Sequence, residues 1–227
     1  VLGYALFGLT MMSHLGWLAS LSIVVTHFMF KSLLFLAIGG VVMRTKTKYM
    51  YQMGGLIKQM PFSFVSVLIG IIVIAGLPPL TGFGGKWLMF NAIMQNGWYF
   101  QAGIAFFAGV ISFLYCFRLI HTIFLGQPKD ELRNVKEAPF WMLVPQYIII
   151  TVLLVLSALP NSMLKPIGQI LLNYFPEGAL VWHGQLAIGP FGYWNGKLIL
   201  AIVVLIFGAV FAWLYIICLL YTSDAAD

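Results

Sequence analysis

Between Phe62 and Ile93 runs an apolar stretch as long as a generous membrane span, FSFVSVLIGIIVIAGLPPLTGFGGKWLMFNAI. It is interrupted at its middle by Gly76, Pro78, Pro79, Gly82, Gly84 and Gly85, and it carries a lysine, Lys86, where it resumes. The prolines remove backbone donors and the glycines remove side-chain cover, which predicts two helical halves around a break. Backbone groups freed at membrane depth are tolerated only against protein or a water-filled cavity. A lysine at the edge of such a break is therefore a functional-site candidate.

The composition supports a membrane setting for that break. Of 227 residues 62% are hydrophobic and 8% charged, against roughly 45–50% and about 25% in soluble domains. The apolar runs are long, with none of the short alternating segments of an outer-membrane barrel. The fold class this predicts is all-α, a polytopic transmembrane helix bundle with one discontinuous helix. Twelve Lys and Arg against six acidic residues give +6, but these charges sit mostly in loops, where they report topology and not a nucleic-acid surface. Cys116 and Cys218 are isolated in apolar spans without metal-ligand spacing. No nucleotide, flavin or cluster motif occurs, so no cofactor and no metal is expected on this chain.

In chain order, Val1-Leu2-Gly3-Tyr4 reads as opening inside a helix, with Leu2–Met12 the end of a span and Ser13–Gly16 a turn. Trp17–Met43 is the first complete span, about 27 residues, enough to cross roughly 30 Å of hydrocarbon with some tilt. Arg44, Lys46, Lys48 and Lys58 follow with no acid between them, which places that loop on the cytoplasmic or equivalent side. The broken span then leads outward to Trp98 and Tyr99, and Gln101–Phe124 returns inward to a loop of mixed charge. Phe140–Leu159 crosses again. Residues 161–195 read as an external segment in which Met163–Phe175 forms an amphipathic interfacial helix, with prolines and glycines after it. Residues 196–220 are the last span, and 221–227 read as a non-native tail.

Within the spans, Thr26, His27 and Lys31 lie near the middle of the first, His27 and Lys31 one above the other on one helical face. Desolvation disfavours the charged form of an amine, so a lysine in hydrocarbon becomes a group that can take up and release protons. Lys31 and Lys86 are thus candidate relay residues, and His27 a candidate donor to Lys31. The blander alternatives are that Lys86 snorkels to an interface and that His27 is a hydrogen-bonded core residue. Arg118 and His121 read as interface anchors, and His14 and His183 as loop residues without signal. A membrane metalloenzyme is disfavoured because no span contains Asp or Glu. A non-conducting structural subunit is the remaining rival.

Three motifs carry a resemblance. Thr26-His27-Phe28-Met29-Phe30-Lys31-Ser32-Leu33-Leu34-Phe35-Leu36, Met53-Gly54-Gly55-Leu56-Ile57-Lys58-Gln59-Met60-Pro61 and Ala75-Gly76-Leu77-Pro78-Pro79-Leu80-Thr81-Gly82-Phe83-Gly84-Gly85-Lys86 occur in this order. They closely resemble the antiporter-like, proton-conducting family: the large membrane subunits of respiratory complex I, of membrane-bound hydrogenases and of Mrp-type sodium/proton antiporters. The resemblance implies an inverted-repeat fold, of which residues 1–160 would be the C-terminal half. It implies that Lys31 is the central lysine, His27 the histidine one turn before it, and Lys86 the lysine of the second broken helix, passing protons outward. Many members carry a further histidine where this chain has Ile23. The family's glutamate and lysine pair would precede Val1. The external segment and last span look more like the longer complex I or hydrogenase members.

The function so implied is that of a proton-translocating subunit of a redox-driven complex, of the NADH:quinone oxidoreductase or membrane-bound hydrogenase type. It would work with other membrane subunits and with redox subunits that carry the cofactors, in a bacterial or archaeal cytoplasmic membrane or an organelle inner membrane. The alternative is an Mrp-type antiporter subunit exchanging protons for sodium.

Overall fold

The computed structural model describes residues 1–176, 180–183, 186–189 and 191–223. The chain is an integral membrane protein built as a helix bundle, with α1 Leu2–Thr10, α2 His14–Thr45, α3 Pro61–Ala75, α4 Thr81–Gln95, α5 Tyr99–Ile120, α6 Phe140–Ala158, α7 Asn161–Leu171 and α8 Gly196–Ser223. α5 runs on through a wide turn, His121–Leu125. Among the described residues His14–Thr45, Tyr99–Leu125 and Phe140–Ala158 are long and apolar enough to cross a membrane. α3 and α4, with 15 residues each, are about 22 Å long apiece and cross only as a pair.

α2 is the axis of the bundle and packs against α1, α3, α4, α6 and α7. Its start is set by Ser13, whose Oγ accepts from Gly16 N at 3.1 Å, a serine cap of the common kind. Its end is set by Lys46 in the left-handed region, φ +56°. α1 approaches closely because Gly8 faces Ser20, where a Cβ would come within 2.2 Å of the hydroxyl. The core has three layers: Leu18, Leu88, Met89 and Ile93 at the end near α7, Phe30, Leu33, Val73, Leu80 and Leu153 in the middle, and Val41, Leu56, Met60 and Phe124 at the end near the basic loop. The basic loop after α2 pairs with the wide turn that continues α5, Leu56 N and Ile57 N donating to Ile123 O and Phe124 O at 3.3 and 3.2 Å.

Two expectations need correction. His14 is not a loop residue: it opens α2, is 4% exposed, and its Nε2 lies 3.0 Å from Gly168 O on α7. The external segment is also more than a helix followed by turns. α7 is shorter than 163–175 and is anchored on α2, with Trp17 against Tyr174 and Phe175 at ring distances of 6.4 and 5.3 Å. Beyond it β1 Val181–His183, β2 Leu186–Gly189 and β3 Gly192–Asn195 form an antiparallel sheet in the order β1-β2-β3. His183 sits in β1. Residues 224–227 of the expected tail lie outside the described residues, while Tyr221–Ser223 continue α8.

Candidate functional site

The break lies where the sequence places it. α3 closes on Gly76 at φ +69°, whose N–H reaches Ile72 O and Val73 O, while Leu77 N returns to Ile72 O, a left-handed helix end that glycine adopts without strain. In a continuing helix Ile74 O and Ala75 O would accept from residues 78 and 79. Both are proline and have no N–H, so the two carbonyls are released. Gly82 then passes against α3 so tightly that a Cβ would lie 1.9 Å from Val73 O. Gly85 packs on Ile23 and Ser22 of α2, with a Cβ 2.8 Å from Ile23 Cγ1.

α4 begins at Thr81 with no cap from its own chain segment. The cap comes from α6: Ser157 Oγ accepts from Thr81 N at 2.9 Å and donates to Leu153 O at 2.6 Å. At the inner end of the same unit, Glu137 caps α3. Its carboxylate accepts from Phe62 N at 2.8 Å, from Ser63 N at 3.4 Å and from Ser63 Oγ at 2.6 Å. Its carbonyl accepts from Arg44 Nε at 2.8 Å, so the end of α2 and the start of α3 are tied to the residue that precedes α6.

Lys86 lies in the second turn of α4 and turns back across the break. Its Nζ donates to Ala75 O at 2.6 Å, one of the carbonyls the prolines released. The cation therefore sits at the C-terminal end of α3, where the helix dipole favours positive charge. Its other neighbour is the Tyr4 ring of α1, 5.7 Å from Nζ, and the Tyr4 hydroxyl donates to Ala105 O on α5. A cavity of about 420 Å³ opens beside Lys86, bounded by Tyr4, Phe83, Trp87, Phe90 and Gly109.

Lys31 has the opposite surroundings. It is exposed on a cavity of about 700 Å³ that it shares with His27, Ser112, Tyr115, Cys116 and Arg118. Its nearest marked contact is the Phe35 ring, 5.8 Å from Nζ. His27 stands edge-on to Phe30 at 4.9 Å, and its Nδ1 is buried without a hydrogen-bond partner. Arg118, expected as an interface anchor, lies at the inner end of this cavity, bonded to the Tyr51 hydroxyl and stacked on its ring. Between the two lysine sites a void of about 20 Å³ is bounded by Ile23, Thr26, Phe30, Gly82 and Lys86, room for a single water molecule. Among the described residues neither lysine has a carboxylate partner, and residues 1–129 contain no Asp or Glu.

The structure thus brings Lys31 and His27 to one cavity and Lys86 to the break beside a second. Sequence reasoning missed Tyr4, Ser157 and Glu137. The first carried no signal in an apolar run, and the others act on helices more than 70 residues away.

Residues 1–112 match the family model described as NADH:quinone oxidoreductase/Mrp antiporter, TM. An Na(+)/H(+) antiporter subunit of Alkalihalophilus pseudofirmus is 32% identical over 190 residues, 74% of this chain and 24% of that protein. Among solved structures, the membrane-bound sulfane sulfur reductase, an archaeal respiratory membrane complex, contains a chain with a TM-score of 0.78 and 28% identity, covering 89% of this chain and 33% of its own. A chain of the Mrp complex from Dietzia sp. has a similar fold, with a TM-score of 0.70 at 22% identity over 77% of this chain and 41% of its own. The chain spans about a quarter of the length of the curated relatives it matches.

Proposed function

From the premise that the chain belongs to the NADH:quinone oxidoreductase/Mrp antiporter transmembrane family, we propose that it carries protons across the membrane through His27, Lys31 and Lys86. The observation that carries this reading is the setting of the three basic side chains: each borders a cavity or the helix break, and among the described residues neither lysine has a carboxylate partner. An amine without a counter-ion in a poorly solvated site exchanges its proton readily, because charge is costly there. His27 and Lys31 collect protons from the large cavity, whose inner end is marked by Arg118. Thr26 and the water-sized void lead on to Lys86, and Lys86 delivers beyond the break. Metal chemistry plays no part in this reading.

The chain works within a multi-subunit membrane complex, as its relatives do. For the driving force, the likeness to a chain of a respiratory complex over 89% of this chain supports redox chemistry in partner subunits. The 32% identity to an Na(+)/H(+) antiporter subunit favours a second reading, exchange of protons for sodium or a related cation. Proton uptake by the purified complex in sealed vesicles, driven by a redox donor and repeated across sodium gradients, tests both. Uptake that needs the donor and Lys86 but ignores sodium supports the redox reading. Proton movement that follows a sodium gradient without a donor replaces it with exchange, and normal uptake by assembled Lys86→Ala removes the relay itself.

A further inference from the structure

We propose that the outer sheet is a strap that sets the position of Lys86, with Trp194 of β3 as its positioning residue; this rests on the reading of Lys86 as a proton carrier. α6 ends at the level of the break, where Ser157 caps α4. From there outward α4 is packed against the sheet. Trp194 is 3% exposed. Its six-membered ring lies on Gly84, where a Cβ would come within 2.3 Å of Cη2. The same indole stands 6.2 Å from the Phe83 ring and 6.0 Å from the Trp87 ring. Phe83 and Trp87 are walls of the Lys86 cavity, so the strap touches the residues on both sides of the lysine in the helix without touching the lysine.

A second tie fixes the strap one turn further along. Asn91 is 3% exposed, its Nδ2 donating to Trp87 O at 2.9 Å and its Oδ1 accepting from Phe191 N at 3.0 Å, beside the turn between β2 and β3. Gly189 closes against the same pair: a Cβ there would meet Asn91 Oδ1 at 2.8 Å and Trp87 Cη2 at 3.0 Å. Across the strands Trp194 pairs with Ala187, which is fully buried. A buried polar group held by two bonds and a ring wedged on a glycine tolerate little displacement.

The consequence for the site is geometric. The 2.6 Å bond from Lys86 to Ala75 O spans two helices joined only through the non-helical residues 76–80, so its length depends on how firmly α4 is pressed against the break. If the strap loosens, α4 shifts, the bond lengthens and the hydration of the ammonium changes. The titratable groups around Lys86 are Tyr4 on α1 and Cys116 on α5, which Lys31 of α2 also reaches. None of these belongs to the strap.

The test is the pH profile of proton transport by the complete complex in sealed vesicles. Trp194→Ala, once assembled, is expected to move the midpoint of the profile by about one pH unit and to slow transport about tenfold, while Trp194→Phe retains the wild-type profile. Gly84→Ala, which drives a methyl group into the indole, is expected to give the same shift. Because Trp194→Ala makes room for that methyl group, the double variant is expected to be no worse than the more affected single variant. A wild-type profile in assembled Trp194→Ala, or strictly additive effects of the two substitutions, overturns the strap. Should Trp194→Ala fail to assemble, Asn91→Ala carries the test: a smaller shift in the same direction supports the strap, and an unchanged profile overturns it. Lys86→Ala is measured alongside. Normal transport by that variant overturns the relay reading, whereas a dead Lys86→Ala beside an unaltered Trp194→Ala overturns the strap alone.

Discussion

The two lysines are placed by different physics. Lys31 projects from an unbroken helix into a cavity of about 700 Å³ and has no hydrogen-bond acceptor among the described residues. Lys86 is half-buried beside a cavity of about 420 Å³ and is held by a released carbonyl, an aromatic face and a helix start capped from a neighbouring helix. One site relies on whatever solvent fills its cavity. The other replaces that solvent with fixed dipoles. The proposed proton path uses both kinds, an open end that equilibrates and a fixed point whose affinity the fold controls.

The strongest way to break this comparison is at the fixed point. Lys86→Ala is expected to reduce proton transport about a hundredfold or more while leaving assembly intact, read as vesicle uptake beside the subunit composition of the purified complex. Lys31→Arg comes next. The open cavity accommodates the larger side chain, yet a guanidinium does not release its proton, so this variant should fail as badly as Lys31→Ala. Transport by Lys31→Arg at half the wild-type rate or better would mean that Lys31 supplies only charge.

Two smaller effects sharpen the account of how the fixed point is built. Glu137→Ala leaves Phe62 N, Ser63 N and the Ser63 hydroxyl without their acceptor and is expected to cost about 1–3 kcal/mol, seen as faster amide exchange over the first turn of α3 and a lower unfolding temperature. Ser157→Ala removes the cap on Thr81 N and the hydroxyl's own bond to Leu153 O, whose carbonyl stays within α6. It should cost about 1 kcal/mol, with faster exchange confined to the start of α4, and unchanged exchange there would show that the cap contributes nothing.

Much of this was legible in the sequence, for a reason specific to each part. The break at Gly76, Pro78 and Pro79 was readable because a missing N–H and a tolerated positive φ are properties of single residues. The spans were readable because length and hydropathy are local as well. Ser157 was not, since its partner Thr81 lies 76 positions away and a serine near a helix end has many uses. The sheet was hidden because its strands have three or four residues between glycines that read as turns. His14 was misplaced because Ser13 and Gly16 suggested a turn, whereas Ser13 is the cap that starts α2 at His14. In each case the error came from a contact between distant segments or from a turn signal that served as a cap.

The acceptor chosen for Lys86 has an electrical consequence. A main-chain carbonyl stays neutral in both protonation states of the amine, unlike a carboxylate, and residues 1–129 offer no acidic side chain to offset the charge. On the proposed reading, a proton loaded at Lys86 adds a charge that its acceptor, Ala75 O, does not offset. A charge carried through the full membrane thickness is worth roughly 2.3 kcal/mol per 100 mV, so a site half-way across feels about half of that, close to a tenfold change in occupancy. If Lys86 carries protons as proposed, the pair of prolines and the carbonyl they set free make its loading respond to the very potential that charge movement builds.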